Sequence, residues 1–227
     1  MKKGALSDLQ KTAALKPVSR NIFLDALFRT GTGDSVAALA DLAKKELNEK
    51  ELQLMYLSFN LVQSVNKEAI TGLSKLFTDN LPKEAYLSIG SVVNKFCRDR
   101  GCEAGDVKVI ADKFIAKIPK DCKTENKKDE EQLVSVLKGI RNTQTILNSA
   151  LDRIIQCASN KNPNRVRVAA LQAFTANPCN KKLQQAASTV MKNREEDSEV
   201  RIEAYLATVE CPSGALANDI QALLNTE

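Results

Sequence analysis

Arg165-Val-Arg-Val-Ala-Ala-Leu-Gln-Ala-Phe-Thr-Ala-Asn-Pro178 and Glu199-Val-Arg-Ile-Glu-Ala-Tyr-Leu-Ala-Thr-Val-Glu-Cys-Pro212 are the stretches from which the fold can be read. They align without a gap at an offset of 34 residues. Val166, Arg167, Ala170, Ala173 and Pro178 fall on Val200, Arg201, Ala204, Ala207 and Pro212, with Val168 on Ile202. A unit of this length has room for two helices, and an amphipathic stripe follows each stretch. Leu183, Ala186, Ala187, Val190 and Met191 form the first stripe, and Leu216, Ile220, Leu223 and Leu224 the second. Such spacing puts the apolar residues on one helical face. A repeated helical hairpin of 34 to 40 residues is the signature of an α-solenoid of the HEAT or TPR kind. The small Ala170 and Ala204 let neighbouring helices approach closely.

The same rhythm extends toward the N-terminus. More evenly apolar helices are expected over Val18–Arg29, Lys50–Val62, Lys83–Phe96, Glu130–Arg141, Arg165–Ala176 and Glu199–Glu210. Second helices follow on Val36–Leu47, Ala69–Phe77, about Asp106–Ile118 and Ile146–Ile155, ahead of the two stripes above. The expected fold is all-α, a right-handed solenoid of about six antiparallel hairpins in two layers. Residues 1–17 read as a partly disordered N-terminal segment and 18–227 as the superhelix. The third unit breaks the period: a polar loop, 119–129, delays the fourth by about 14 residues. With five Lys and five acidic residues over Lys117–Glu131, that loop reads as a charge-balanced, solvated excursion.

Composition narrows the chemistry. The 227 residues are 43% apolar, 27% charged and 4% aromatic, too apolar and too evenly charged for a disordered chain. They include no His and no Trp. Without histidine there is no Ser-His-Asp or Cys-His pair and no His-ligated metal. A net charge of +5 with few aromatic residues makes no nucleic-acid footprint. No apolar run reaches the roughly 18 residues of a membrane span. Met1-Lys2-Lys3 resembles the start of a signal peptide, but Gly4–Lys16 is too polar to be its apolar core.

No candidate motif points to catalysis or to a cofactor. Gly31-Thr-Gly-Asp-Ser35 lacks the strand before it and the Lys-Ser/Thr after it that a phosphate loop needs. It reads as a helix C-cap at Gly31 and an N-cap at Asp34. Glu195-Glu196-Asp197 reads as a set of helix-start charges, with Ser198 as the N-cap. Arg167 and Arg201 occupy the same place in two units, which suggests a polar tie between hairpins, since a repeated residue serves the repeat.

The six cysteines are placed by the hairpins. Cys97 and Cys102 close a short turn. Cys122 and Cys157 both follow second helices and share one edge, while Cys179 and Cys211 both follow first helices and share the other. Joining Cys157 to Cys179 would cross a helix of about 12 residues, roughly 18 Å, whereas a disulfide needs Cα atoms within about 7 Å. Geometry therefore selects Cys97–Cys102, Cys122–Cys157 and Cys179–Cys211. The rival is a zinc site made from four of these thiolates, which no CxxC spacing supports.

Three stretches carry a family resemblance. Asp25-Ala-Leu-Phe-Arg-Thr-Gly-Thr-Gly-Asp34, Tyr86-Leu-Ser-Ile-Gly-Ser-Val-Val-Asn-Lys-Phe-Cys97, and Glu199–Ala207 with Cys211-Pro212 resemble the helical region of arthropod apolipophorins. These belong to the large lipid transfer proteins, with vitellogenins, apolipoprotein B and the microsomal triglyceride transfer protein. The resemblance runs from about Val18 to Leu224. It implies the helical arch of a secreted lipid carrier, which lies between a β-barrel and the β-sheets that line a lipid cavity. It also places the family's close-spaced cysteine pair on Cys97 and Cys102, and some mite relatives are known as allergens. Implied partners are lipids, through the full-length protein, and the remaining β-sheet regions of the parent chain. Nucleic acid, metal and cofactor are not expected, and the isolated chain is expected to self-associate through faces that would meet those sheets. The alternative class is a cytosolic solenoid adaptor with a protein partner on its concave face, which needs no disulfides.

Overall fold

The computed structural model describes residues 17–43, 47–78, 81–101, 104–145 and 148–225. The N-terminal segment expected over residues 1–17 lies outside them except for Pro17, where the first helix begins. Among the described residues the chain is all-α, with no strand. It divides into two compact units, one up to Lys113 and one from Phe114 onward.

In the first unit, α1 (Pro17–Thr30), α3 (Glu49–Ser58) and α5 (Lys83–Arg100) are first helices of hairpins. Helices α2 (Gly33–Ala43) and α4 (Lys67–Ser74) are second helices, and α6 (Ala104–Ala116) leads into the second unit. Helix α3 packs on α1 and α5, and α2 packs on α4, so like helices lie side by side. Met55, Phe59, Leu73, Tyr86, Ile89 and Phe96 are fully buried. Burial, with a smaller contribution from Tyr86, pushes the Tyr56 phenol up to about 12, so that ring packs as a neutral group edge-on to Phe59.

In the second unit, α7 (Lys127–Thr143), α9 (Asn164–Phe174) and α11 (Ser198–Val209) form the row of first helices. Helices α8 (Leu151–Cys157), α10 (Lys181–Lys192) and α12 (Gly214–Leu224) are the second helices. Helix α9 lies between α7 and α11 and also touches α8, while α10 packs on α8 and α11. The stripe of α10 buries Leu183, Ala187 and Met191, four residues apart, so one narrow face carries its packing. At roughly 25 cal/mol per Å² of apolar surface, Leu183 and Met191 each contribute about 2 kcal/mol and the smaller Ala187 less than about 1.

Several element boundaries differ from the sequence reading. Helix α3 tightens to a 3₁₀ turn at Phe59–Leu61. Leu47 falls outside α2, because Asn48 opens α3 in a capping box with Glu51. Helix α8 is shorter than expected, and Ile146 and Leu147 lie outside the described residues. Lys127–Asp129 leave the expected loop for the first turn of α7, capped by Asn126. Neither Asp34 nor Ser198 is an N-cap. Thr32 caps α2 by exchanging hydrogen bonds with Ser35, backbone N–H to side chain in both directions. At α11, Asp197 accepts the N–H groups of Glu199 and Val200.

Asp34 is used in the next hairpin instead. Its carboxylate accepts from Asn66 Nδ2 at 2.9 Å, while Asn66 Oδ1 accepts from the Ala69 N–H and caps α4. Gly33 is what permits this contact, since a Cβ there would lie 2.4 Å from Asn66 Oδ1 and 2.7 Å from its backbone nitrogen. Gly31, at φ +59°, turns its carbonyl to the N–H groups of Gln63 and Ser64. Gly33→Ala is therefore expected to cost about 1–3 kcal/mol in chemical denaturation. Gly214→Ala, with nothing within 4 Å of the added Cβ, is expected to be neutral or slightly stabilising. Equal stabilities for the two variants would show that the Gly33–Asn66 approach does not constrain the fold.

Candidate functional site

Among the described residues the most buried ionic group is the Arg167 guanidinium in α9, with 4% of its side chain exposed. It holds three successive elements together. Nε donates to the Ala158 carbonyl at the end of α8. Nη1 donates to Glu196 Oε1 at 2.7 Å and Nη2 to Glu196 Oε2, just ahead of α11. Glu196 is 7% exposed and also accepts the N–H of Asp197 at 2.9 Å. Thus Glu196, read from sequence as a helix-start charge, is the carboxylate of a buried bidentate pair. The Arg167 hydrogen bonds outweigh its burial and hold the Glu196 carboxyl below the usual range. Arg201, the repeat mate of Arg167, makes the corresponding backbone bond: its Nε donates to the Met191 carbonyl at the end of α10.

Sequence reasoning missed a second pair of the same design in the first unit. Arg20 of α1 reaches across to Glu51 of α3 with both terminal nitrogens, the Nη2 contact being 3.0 Å. Glu51 also accepts the Asn48 N–H at 2.9 Å, and Arg20 lowers its carboxyl below the usual range despite partial burial. In both units an acid at the start of one first helix is clasped by an arginine of the preceding one. The 31-residue separation here against 29 for the second pair hides the likeness from an ungapped comparison. Two further arginines cap carbonyls: Arg100 donates to Val65 O, and Arg153 to Ile115 O and Ile118 O.

The cysteines stand at the ends of the helices. Cys122, in the loop before α7, is bonded to Cys157 at the end of α8, with Cα atoms 5.1 Å apart. Cys179, after α9, is bonded to Cys211, after α11, at 5.2 Å. Cys97 is disulfide-bonded as well, and Cys102 lies outside the described residues. The bridges Cys122–Cys157 and Cys179–Cys211 span separations of 35 and 32 residues, each worth on the order of 3–4 kcal/mol in the chain-entropy account. The charge-balanced loop is thus tied down at Cys122, which is buried.

Among the described residues no cluster of His, Cys, Asp and Glu could hold a metal, and no helix is long and apolar enough to cross a membrane. The unusual surface is apolar. Leu54 and Leu57 of α3, with Leu61 just beyond it, are 47%, 59% and 61% exposed and lie on one stripe. A second exposed set, Ile202, Tyr205 and Leu206, lies on α11. Both sit on first helices whose opposite faces are buried.

The pairs set two measurable expectations. Arg167→Met strands the buried Glu196 carboxylate and is expected to cost about 3 kcal/mol, whereas Arg167→Met with Glu196→Met costs much less. Additive costs in the double-mutant cycle would contradict the clasp. Because both glutamates titrate lower folded than unfolded, their stabilisation is complete above the ordinary Glu value, about pH 4.3. It is lost as pH falls through the folded values. Denaturation midpoints are expected to fall steeply below about pH 4.3, and less steeply in the double variant.

The fold is shared with known proteins. A family model described as the vitellogenin TPR domain matches residues 1–227. The apolipophorins of Drosophila melanogaster are 39% identical over 212 residues, which is 93% of this chain and 6% of theirs. Those of Manduca sexta are 39% identical over 216 residues, 92% of this chain and again 6% of theirs. The chain therefore spans a small part of the length of these relatives. A solved lipovitellin structure, described as concerning lipid–protein interactions, superposes with a TM-score of 0.75 at 21% identity. It covers 100% of this chain and 25% of that one, a likeness of fold. With the family model matched end to end and the apolipophorin identity sustained over nine-tenths of its residues, the chain belongs to the vitellogenin TPR domain family.

Proposed function

We propose that this chain is the structural helical arch of a secreted lipid carrier, a right-handed superhelix of stacked hairpins that supports the lipid-cavity sheets of its parent. The observation that carries the reading is the outward stripe Leu54, Leu57 and Leu61 of α3, close to half exposed or more. Three large apolar side chains on one face call for a covering surface, and a sheet or lipid-loaded core of the parent supplies it. The apolipophorin and vitellogenin relatives support the lipid assignment, and the disulfides favour an oxidising, extracellular compartment over the cytosolic adaptor. The role is mechanical rather than catalytic: each hairpin touches its neighbours, so small adjustments between hairpins change curvature as the lipid load changes.

The test is made in the parent protein. Leu57→Glu with Leu61→Glu, secreted from cultured cells, is expected to give particles of higher density and lower lipid-to-protein ratio than the natural sequence. Both side chains are exposed, so the same substitutions in the present chain are expected to leave its thermal midpoint unchanged. An unaltered particle density with an unaltered midpoint would overturn the reading.

A further inference from the structure

The two edge bridges of the second unit differ in what a second molecule can reach. Cys122 and Cys157 are 1% and 0% exposed. Asn162, 7% exposed, donates to the carbonyls of Gln156 and Cys157 and pins the turn after α8 to the backbone of that bridge. Cys179 is exposed and Cys211 half-buried, each in a turn between two helices. A disulfide is exchanged when a thiolate reaches one of its sulfurs and forms a mixed disulfide. Cys122–Cys157 admits that approach only when the unit around it opens. Cys179–Cys211 admits it from the folded state.

The ties around the exposed bridge decide what happens once it opens. Gln184 of α10 donates through Nε2 to Pro178 O at 2.6 Å and to Ala207 O at 3.0 Å. One side-chain amide thus holds the backbone just ahead of Cys179 to the end of the helix that leads to Cys211. Arg167 keeps its grip on Glu196, and Gln172 of α9 donates to Glu203 of α11 at 2.9 Å. None of these bonds passes through a sulfur. The hairpins therefore stay stacked when the bridge is broken, and the two sulfurs stay within reach of each other. A bridge placed in this way opens and recloses on a folded protein.

We propose that Cys179–Cys211 is a thiol-exchange site, at which a thiol of low molecular weight, of the glutathione kind, modifies Cys179 reversibly while Cys122–Cys157 stays closed. The incoming thiolate attacks the Cys179 sulfur. A bond forms between the two, the Cys179–Cys211 bond breaks, and Cys211 leaves as a thiolate that takes its proton from solvent. The product is a mixed disulfide on Cys179 and a thiol at Cys211, and no further oxidant or reductant is needed. In the reverse step the Cys211 thiolate, kept close through Gln184, displaces the added thiol. The modification frees one edge of the α9–α11 pair without unstacking it. The inference rests on burial and hydrogen bonding and not on the lipid-carrier reading, so either can fail alone.

The test exposes the folded, oxidised chain to dithiothreitol, quenches samples with acid at intervals, alkylates them and maps each cysteine by mass spectrometry. Thiols at Cys179 and Cys211 are expected to appear on the order of a hundredfold faster than thiols at Cys122 and Cys157, with helicity by circular dichroism unchanged. With reduced glutathione in place of dithiothreitol, the acid-trapped adduct is expected on Cys179. Gln184→Ala is expected to accumulate several-fold more of that adduct, because reclosure slows when the two turns are no longer held together. Equal rates at the two bridges, or thiols at Cys179 that appear only as helicity is lost, overturn the proposal. So does a Cys179–Cys211 bridge that stays closed at a dithiothreitol concentration that opens it in the unfolded chain. An adduct on Cys211 instead of Cys179 overturns the direction of attack, and an unchanged adduct level in folded Gln184→Ala overturns the part given to Gln184. If that variant does not fold, the rates and the adduct position in the natural sequence decide.

Discussion

The pair of Arg167 and Glu196 is the interaction on which the second unit depends. Apolar packing between α9 and α11 tolerates small slips, because Val, Ala and Leu surfaces are much alike. A guanidinium that is 4% exposed tolerates none, since removing its partner leaves a charge buried in a medium that cannot solvate it. The pair fixes how far one hairpin advances on the next, while Nε on the Ala158 carbonyl fixes where α8 ends. Arg20 and Glu51 do the same between α1 and α3. The repeat is therefore a spacing imposed by buried charge on helices that packing alone would hold loosely.

Much of this was legible in the sequence because the repeat writes the same residue twice. The ungapped match of Val166–Ala173 to Val200–Ala207 locates α9 and α11, and from them the edges on which the cysteines stand. The partners were not legible where the interaction lies between repeats of unequal length. Nothing in the run Glu195-Glu196-Asp197 says which acid turns inward, and the answer comes from the turn before α11, where Asp197 caps and Glu196 is left facing Arg167. Thr32 was overlooked as a cap because Asp34 is the stronger residue by type, but Asn66 of the next hairpin engages that carboxylate. Competition of this kind is settled by tertiary contacts rather than by propensity.

Exposed and buried surface divide along the same lines. Second helices such as α10 spend their single stripe inside the stack. First helices such as α3 and α11 are apolar on two sides and keep one side for something else. In the proposed carrier that asymmetry separates two tasks. The inner faces and the Arg–Glu pairs set the repeat, and the outer stripes receive the sheets of the parent. The bridges Cys122–Cys157 and Cys179–Cys211 limit how far neighbouring hairpins can part.

The most direct measurement is disulfide mapping, by mass spectrometry with a free-thiol count, on the parent protein isolated from its natural source without reduction. Stacked hairpins in a secreted carrier predict no free thiol among the six cysteines, with Cys122 joined to Cys157, Cys179 to Cys211 and Cys97 to Cys102. Six free thiols in the natural protein would contradict the account, because they would remove the oxidising compartment and both edge clasps together.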